Sequence, residues 1–333
     1  CRRAGGVRAV QRRAGRCRRE RKGARSARLR IGEGWPACAG TASMPFIDEP
    51  AGTPPMTDTA AHGAASPWWQ DHTPQEIAAL AAADGVALLP LAAIEQHGEH
   101  LPLSTDLDIA LGLVDAALPR VRAGVPVCVL PPLAVGLSLE HSAFAGTLSL
   151  RPETALAVMV ELGERVAAAG FRRLVLFNSH GGNKALVDLA ALKLRVERRM
   201  LVVRANYFRF APPPDALPAD ELRHGLHGGA LETAMMLHLA PAKVRSGRVG
   251  NFDSLGRHMA AAGRLLGPEG EAGFAWMAQD LNPCGAMGDA RLATPALGDR
   301  LVQHFAGQLA RLVEEAHAFD LARLDGGALD RAD

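Results

Sequence analysis

The stretch LLPLAAIEQHGEHLPLSTD, Leu88 to Asp106, decides the fold. A short apolar run bounded by polar, Gly and Pro residues reads as a buried strand over Leu88–Ile94. It ends in Glu95, His97, Glu99 and His100, with Asp106 one short loop later. Ligands of open parallel sheets bind at the carboxyl ends of the strands, so the donors fall on the edge where chemistry is built. Outward from this stretch, further strands are predicted at Val125–Leu130, Arg173–Phe177 and Met200–Ala205. Helices at Asp106–Leu118, Pro152–Ala169 and Asn183–Arg199 alternate with them. Leu174 to Phe177 are apolar in succession, as a strand covered on both faces requires. Strand and helix alternating four times with short joins is the signature of an α/β fold with a parallel sheet. A short helix with Thr73 as N-cap and Pro74 at its first position precedes the sheet. His227–Leu239 runs from a Gly-Gly turn into a helix, Asn251–Gly288 is an irregular insertion, and Pro295–Ala318 is an amphipathic helix that returns to the sheet.

The chain has 333 residues, 48% of them hydrophobic, ample for a buried core. Its net charge of +2 misleads, because thirteen basic residues crowd into Arg2 to Arg30 against one acid, Glu20. From Met44 onward there are 24 basic and 33 acidic residues, a net −9, which argues against a phosphate-backbone partner. Residues 1–67 are expected to be a disordered leader, Arg-rich and then rich in Pro, Ala and Thr. Its first 43 residues read as translated sequence ahead of a start at Met44 or Met56. Cys1, Cys17, Cys38, Cys128 and Cys284 are odd in number and scattered, which suits reduced thiols in the cytoplasm. The most membrane-like window, Ile77–Ile94, is broken by Asp84, Gly85 and Pro90, so no membrane span is expected.

Three segments deliver metal-ligand side chains beside loop glycines: Glu95, His97 and Asp106; His180; and His227 with Glu232. Parallel strands would bring them to one edge. Three carboxylates and two imidazoles offset most of the charge of two divalent cations, and mixed oxygen and nitrogen donors suit Zn, Mn or Fe. Two such ions can share a bridging carboxylate and a bridging hydroxide, giving a nucleophile at neutral pH and a Lewis acid. His227 lies five residues before Glu232 across a Gly-Gly turn, and an imidazole there suits protonation of a departing nitrogen. The alternatives are that His227 is itself a ligand, or caps the helix that presents Glu232.

Four motifs now fall in order between about residues 86 and 239: EQHGEHLPLSTD (95–106), SLEHSAFAGTLSL (138–150), FNSHGGN (177–183) and HGGALET (227–233). Together they resemble the creatininase family of metal-dependent amidohydrolases, which includes creatininase and iron-dependent formamide hydrolases. The resemblance implies a three-layer α/β/α sandwich with a mostly parallel sheet, as a single domain over residues 68–325. It also implies a two-metal site, hydrolysis of a C–N bond, and assembly into a dimer or hexamer. By matched position Glu95, His97, Asp106 and His180 are implied ligands, with Asp106 bridging, Glu232 as the remaining acid and His227 as the acid/base. Ser138, His141 and Gly181 fall on the substrate side.

The chain also departs from that pattern. Creatininase carries a Glu two residues after the His of the third motif, where Gly182 stands here, and it surrounds creatinine with tryptophans, none of which occurs here between Trp69 and Trp276. Creatinine is therefore a poor expectation. The leading expectation is a small amide, cyclic amide or formamide, and the alternative is a peptidase maturing a peptide-derived cofactor or a non-catalytic metal-binding relative. Read alone, Gly181 and Gly182 suit a phosphate on a helix N-terminus equally well. His141 is as readily a satisfied loop histidine, His100 and Glu99 read as loop-ordering groups, and Asn178 and Asn183 as fixing turn geometry.

Overall fold

Four parallel strands form the centre: β1 (Val86–Leu91), β2 (Val127–Val129), β3 (Arg173–Asn178) and β4 (Leu201–Asn206), in the spatial order β2-β1-β3-β4. The structure, a computed structural model, describes residues 66–324. The expected leader therefore lies outside the described residues, except at its end.

β1 and β3 are buried at every position. Alternation splits their side chains between two cores. Val86, Leu88, Val175 and Phe177 face one core, whereas Ala87, Leu89, Leu91, Leu174 and Leu176 face the other. The second core is closed by α1 (Pro74–Ala82), α3 (Pro152–Ala168) and α4 (Lys184–Arg198) through residues such as Ile77, Met159 and Val187. The first is closed by α2 (Thr105–Ala117), α6 (Ala230–Leu239) and α9 (Pro295–Ala318), which supply Leu113, Met235 and Phe305. Three layers result, the expected α/β/α sandwich. Short helices α5 (Ala219–His224), α7 (Leu255–Ala261) and α8 (Ala278–Leu281) lie in the connections flanking α6. Among the described residues no helix is long and apolar enough to cross a membrane.

Local chemistry sets the boundaries. Thr73 caps α1 in a reciprocal box, its hydroxyl accepting from the Glu76 amide while Glu76 Oε2 accepts from the Thr73 amide. Thr294 caps α9, and Arg199 ends α4 in the left-handed region at φ 55°. Strand β1 is displaced from the expected span, starting at Val86 and ending at Leu91. The reason is hydrogen bonding: the Val86 amide already donates to the Pro126 carbonyl, while Ala92 and Ala93 pass beyond the ladder into the loop that carries Glu95. α2 starts one residue before the expected Asp106, and Thr105 is not its side-chain cap; the hydroxyl instead donates to the Pro102 carbonyl. α6 starts at Ala230, directly after the expected Gly-Gly turn, where His227 is held in a bridge to Met287 and Gly228 has φ +63°.

Candidate metal centre

Each candidate donor comes from the carboxyl edge of the sheet or from an adjoining helix start. Glu95 and His97 follow β1, His180 follows β3 by two residues, Asp106 lies in the first turn of α2, and Glu232 in the first turn of α6. Glu95, His97, Asp106, His180 and His227 are all buried. Asp106 turns its two oxygens to different rings: Oδ1 lies 3.4 Å from His97 Nε2, and Oδ2 lies 3.3 Å from His180 Nδ1. Glu95 Oε1 is 3.2 Å from His180 Nδ1 and 3.6 Å from His227 Nδ1. Three overlapping sets result, each with its ligand atoms within 4.8 Å of one another: Glu95–Asp106–His180, His97–Asp106–Glu232 and Glu95–His97–His227. Asp106 is common to the first two, which is the placement a bridging carboxylate needs.

Both oxygens of Glu95, Nε2 of His97 and Oδ2 of Asp106 are buried without any hydrogen-bond partner. Buried polar groups are ordinarily paired, and four orphans converging on one place fit a cation. The titration of the site agrees. Burial pushes Glu95 above the usual carboxylate range and Glu232 up to about 7. Burial by itself would lower His97, but the Asp106, Glu232 and Glu95 carboxylates together outweigh it and hold the ring up at about 9. His180 is likewise raised, because Glu95 and Asp106 outweigh its burial. Protons are drawn to these rings because the clustered carboxylates lack positive charge.

The outer nitrogens of the ligand rings are fixed by backbone. His97 Nδ1 donates to the Glu95 carbonyl at 3.1 Å and His180 Nε2 to the Leu137 carbonyl at 2.7 Å, which turns the other nitrogen of each neutral ring inward as a lone pair. Asn178 accepts from the His180 amide and donates to the His180 carbonyl, while Asn183 accepts from the Leu137 amide, so both fix this turn. His100 Nε2 lies 3.0 Å from the Gly228 carbonyl and ties the first motif to the fourth, and exposed Glu99 pairs with Arg248.

His227 stacks between His97 and His141, with ring centroids 4.1 Å away on each side. Its Nε2 donates to the Gln96 carbonyl at 2.6 Å, so its site-facing Nδ1 is bare, and burial holds the ring well below its ordinary pKa. Ser138 is wholly buried with Oγ 3.3 Å from His180 Nε2, behind the ring and not in an open pocket. His141 is buried 3.4 Å from Glu95 Oε1, and burial brings it down to about 3. Gly181 lies in the turn before α4 and borders open space.

Gln96 was not singled out from the sequence, yet it connects three parts of the site. Its amide joins His141 and the Gly285 carbonyl, and its backbone carbonyl receives His227. Its position between two ligands was the available signal. The segment around Gly285 to Met287 had none, because it belongs to the insertion without periodicity; Met287 nevertheless donates to the His227 carbonyl. At Gly182, a Cβ would overlap the Leu137 carbonyl oxygen and Glu140 Oε1. The backbone at Gly182 thus leaves no room for a side chain, and the acid beside His97 and Asp106 is Glu232 from α6.

A sequence model of the creatininase family, described as creatinine amidohydrolase, matches residues 70–313. The chain belongs to the creatininase family. Among creatininase-family relatives, the mycofactocin precursor peptide peptidase of Mycobacterium tuberculosis is 35% identical over 234 residues, 68% of this chain and 83% of that one. The creatinine amidohydrolase of Pseudomonas putida is 33% identical over 188 residues, 52% of this chain and 71% of that one. A solved structure described as a manganese creatininase superposes with a TM-score of 0.62 at 25% identity, covering 76% of this chain and all of the other. The chain is a creatininase-family hydrolase with an α/β sandwich fold, as its four motifs led us to expect.

Proposed function

We propose that the protein is a two-metal hydrolase that cleaves an amide bond in a peptide-derived substrate. The observation that carries the metal-dependent reading is Asp106, whose two buried oxygens address two different ligand sets. Glu95, Asp106 and His180 would hold one ion, and His97, Asp106 and Glu232 the other. When bound, two divalent cations supply a nucleophile from water at neutral pH and a Lewis acid for a carbonyl oxygen. His227 Nδ1, bare and directed at the same place, takes the proton from the attacking water and returns it to the departing nitrogen as the C–N bond breaks. The Gln96 carbonyl keeps its hydrogen bond to Nε2 throughout and steadies the ring while it is charged.

A peptide is favoured over the small amide or formamide that the motifs first suggested. The peptidase relative matches a longer part of the chain than the creatinine amidohydrolase does. Leu103, Leu139 and Leu148 are exposed on the loops of the first two motifs: the Glu95 amide donates to the Leu103 carbonyl, the Leu148 amide donates to the Ile94 carbonyl, and Leu139 follows Ser138. An apolar rim of this kind suits the side chains of a peptide and offers little to a small polar ring. The test is incubation of manganese-loaded protein with short peptides, creatinine and formamides, read by mass spectrometry. Peptide cleavage with creatinine left intact is expected. Turnover of creatinine or a formamide with every peptide untouched would overturn the substrate class.

A further inference from the structure

Four imidazoles surround the carboxylate cluster, and the outer neighbour of each ring dictates where its proton lies. For His97, His180 and His227 that neighbour is a backbone carbonyl, of Glu95, Leu137 and Gln96 respectively. A carbonyl only accepts, so the outer nitrogen of each neutral ring carries the hydrogen and the inner nitrogen is bare. His141 is different. Its outer Nδ1 lies 2.7 Å from the side-chain nitrogen of Gln96. The orientation of that amide is fixed by its other partners, because Oε1 accepts from the Gly98 amide at 2.9 Å and Nε2 donates to the Gly285 carbonyl at 2.8 Å. Turned over, it would set oxygen against the Gly285 oxygen and N–H against the Gly98 N–H. Nδ1 of His141 therefore accepts, and the hydrogen of the ring is on Nε2. That nitrogen faces the site 3.4 Å from Glu95 Oε1, an atom to which it makes no hydrogen bond.

Building on the amide-hydrolase reading, we propose that His141 is a neutral electrophilic residue whose Nε2–H binds the carbonyl oxygen of the scissile amide and holds it as negative charge develops. Its geometry excludes two other roles. A nitrogen bearing hydrogen does not ligate a metal, and a neutral ring whose second nitrogen has no proton cannot release the first without becoming imidazolate. His141 is thus a donor that keeps its hydrogen, while the proton that reaches the leaving nitrogen travels through His227. Neutral imidazoles serve as electrophiles in this way when their surroundings keep them uncharged, and donors preset on an oxyanion act with little reorganisation.

The experiment uses the full chain loaded with zinc, with ¹⁵N-labelled histidine, and inorganic phosphate as a tetrahedral anionic probe. Long-range proton–nitrogen spectra are expected to show His141 protonated at Nε2 and bare at Nδ1, with the Nε2 resonance moving as phosphate is added. His141→Leu should keep both zinc ions and bind phosphate about tenfold more weakly, as loss of one charge-assisted donor predicts. His141→Gln, which restores an N–H in a similar place, should recover most of that affinity. A proton on Nδ1, loss of zinc in H141L, or unchanged phosphate affinity in H141L would overturn the assignment. Should H141L fail to fold, the tautomer in the unsubstituted protein decides by itself. None of these readouts needs an amide substrate, so a protein that passes them and cleaves nothing would refute the hydrolase reading separately.

Discussion

Strand β3 carries buried charge at both ends, and the two ends treat it differently. At its amino end the guanidinium of Arg173 is buried with a partner for each nitrogen: Nη1 bonds Asp84 at 2.6 Å, Nε bonds the Ala316 carbonyl at 2.9 Å and Nη2 the Phe319 carbonyl at 3.1 Å. The last two are carbonyls at and just beyond the end of α9, where a cation is favoured. At the carboxyl end, His180 faces Glu95 and Asp106, and three carboxylate oxygens there have no hydrogen-bond partner. A buried charge answered by hydrogen bonds is part of the scaffold. One left unanswered marks a place reserved for a ligand.

Substitutions at the unanswered end should strike function hardest. Asp106→Ala is expected to lower bound metal from two ions to one or none and to abolish turnover, because a single carboxylate serves both ligand sets. Elemental analysis after gel filtration measures it, and two retained ions would refute the bridge. His227→Asn should keep both ions yet lose roughly 10² to 10⁴ in kcat, the usual worth of a positioned proton carrier. Loss of an ion from that variant would make His227 the ligand that its proximity to Glu95 and His97 also allows.

At the answered end the same kind of change should cost stability alone. Arg173→Met leaves the Ala316 and Phe319 carbonyls without their donor, and about 1–3 kcal/mol of folding free energy should be lost. Denaturant unfolding reads that loss, and metal content should stay unchanged. If the variant also lost metal, the two ends would be mechanically linked through β3 and the contrast between them would fail.

The sheet and its helices were legible in the sequence because apolar spacing reports burial directly. Pro295–Ala318 was placed residue for residue, and α3 ends within one residue of its expected end at Ala169. The convergence of the candidate donors was legible as well, since Glu95, His97, Asp106 and His180 follow strands or open helices. The roles of their neighbours were not. Whether His141 presents a hydrogen or a lone pair depends on Gln96, and Gln96 depends on Gly285, 189 residues away in a segment without periodic pattern. Likewise Ser138 reads as a substrate contact by its motif, while the fold sets it behind His180. Spacing along a chain identifies which groups reach an edge; hydrogen-bond direction is settled by partners that spacing does not name.

The smallest expected effect concerns protons and sharpens the contrast once more. Without a cation, the surrounding carboxylates outweigh burial and hold His97 up at about 9, above its ordinary value near 6.5, and His180 is raised in the same sense. A raised imidazole stabilises the metal-free fold fully below about pH 6.5, and that contribution disappears as pH climbs through about 9. The cation needs the same inner nitrogens bare, so it must displace those protons. Metal affinity should therefore rise with pH across that window, about tenfold per pH unit for each proton displaced, or about 1.4 kcal/mol. The two trends have opposite signs. Metal-free protein should melt lower as pH goes from 6 to 9, whereas the gain in Tm on adding manganese should grow. Calorimetric titration at pH 7 in buffers of different ionisation enthalpy counts the released protons directly. Arg173 bonds Asp84 and the two carbonyls at the end of α9 and touches neither ring, so Arg173→Met should shift both curves equally. A manganese gain that is flat or falls with pH would mean that His97 and His180 do not hold the protons, and that the unanswered charge at this end is compensated in some other way.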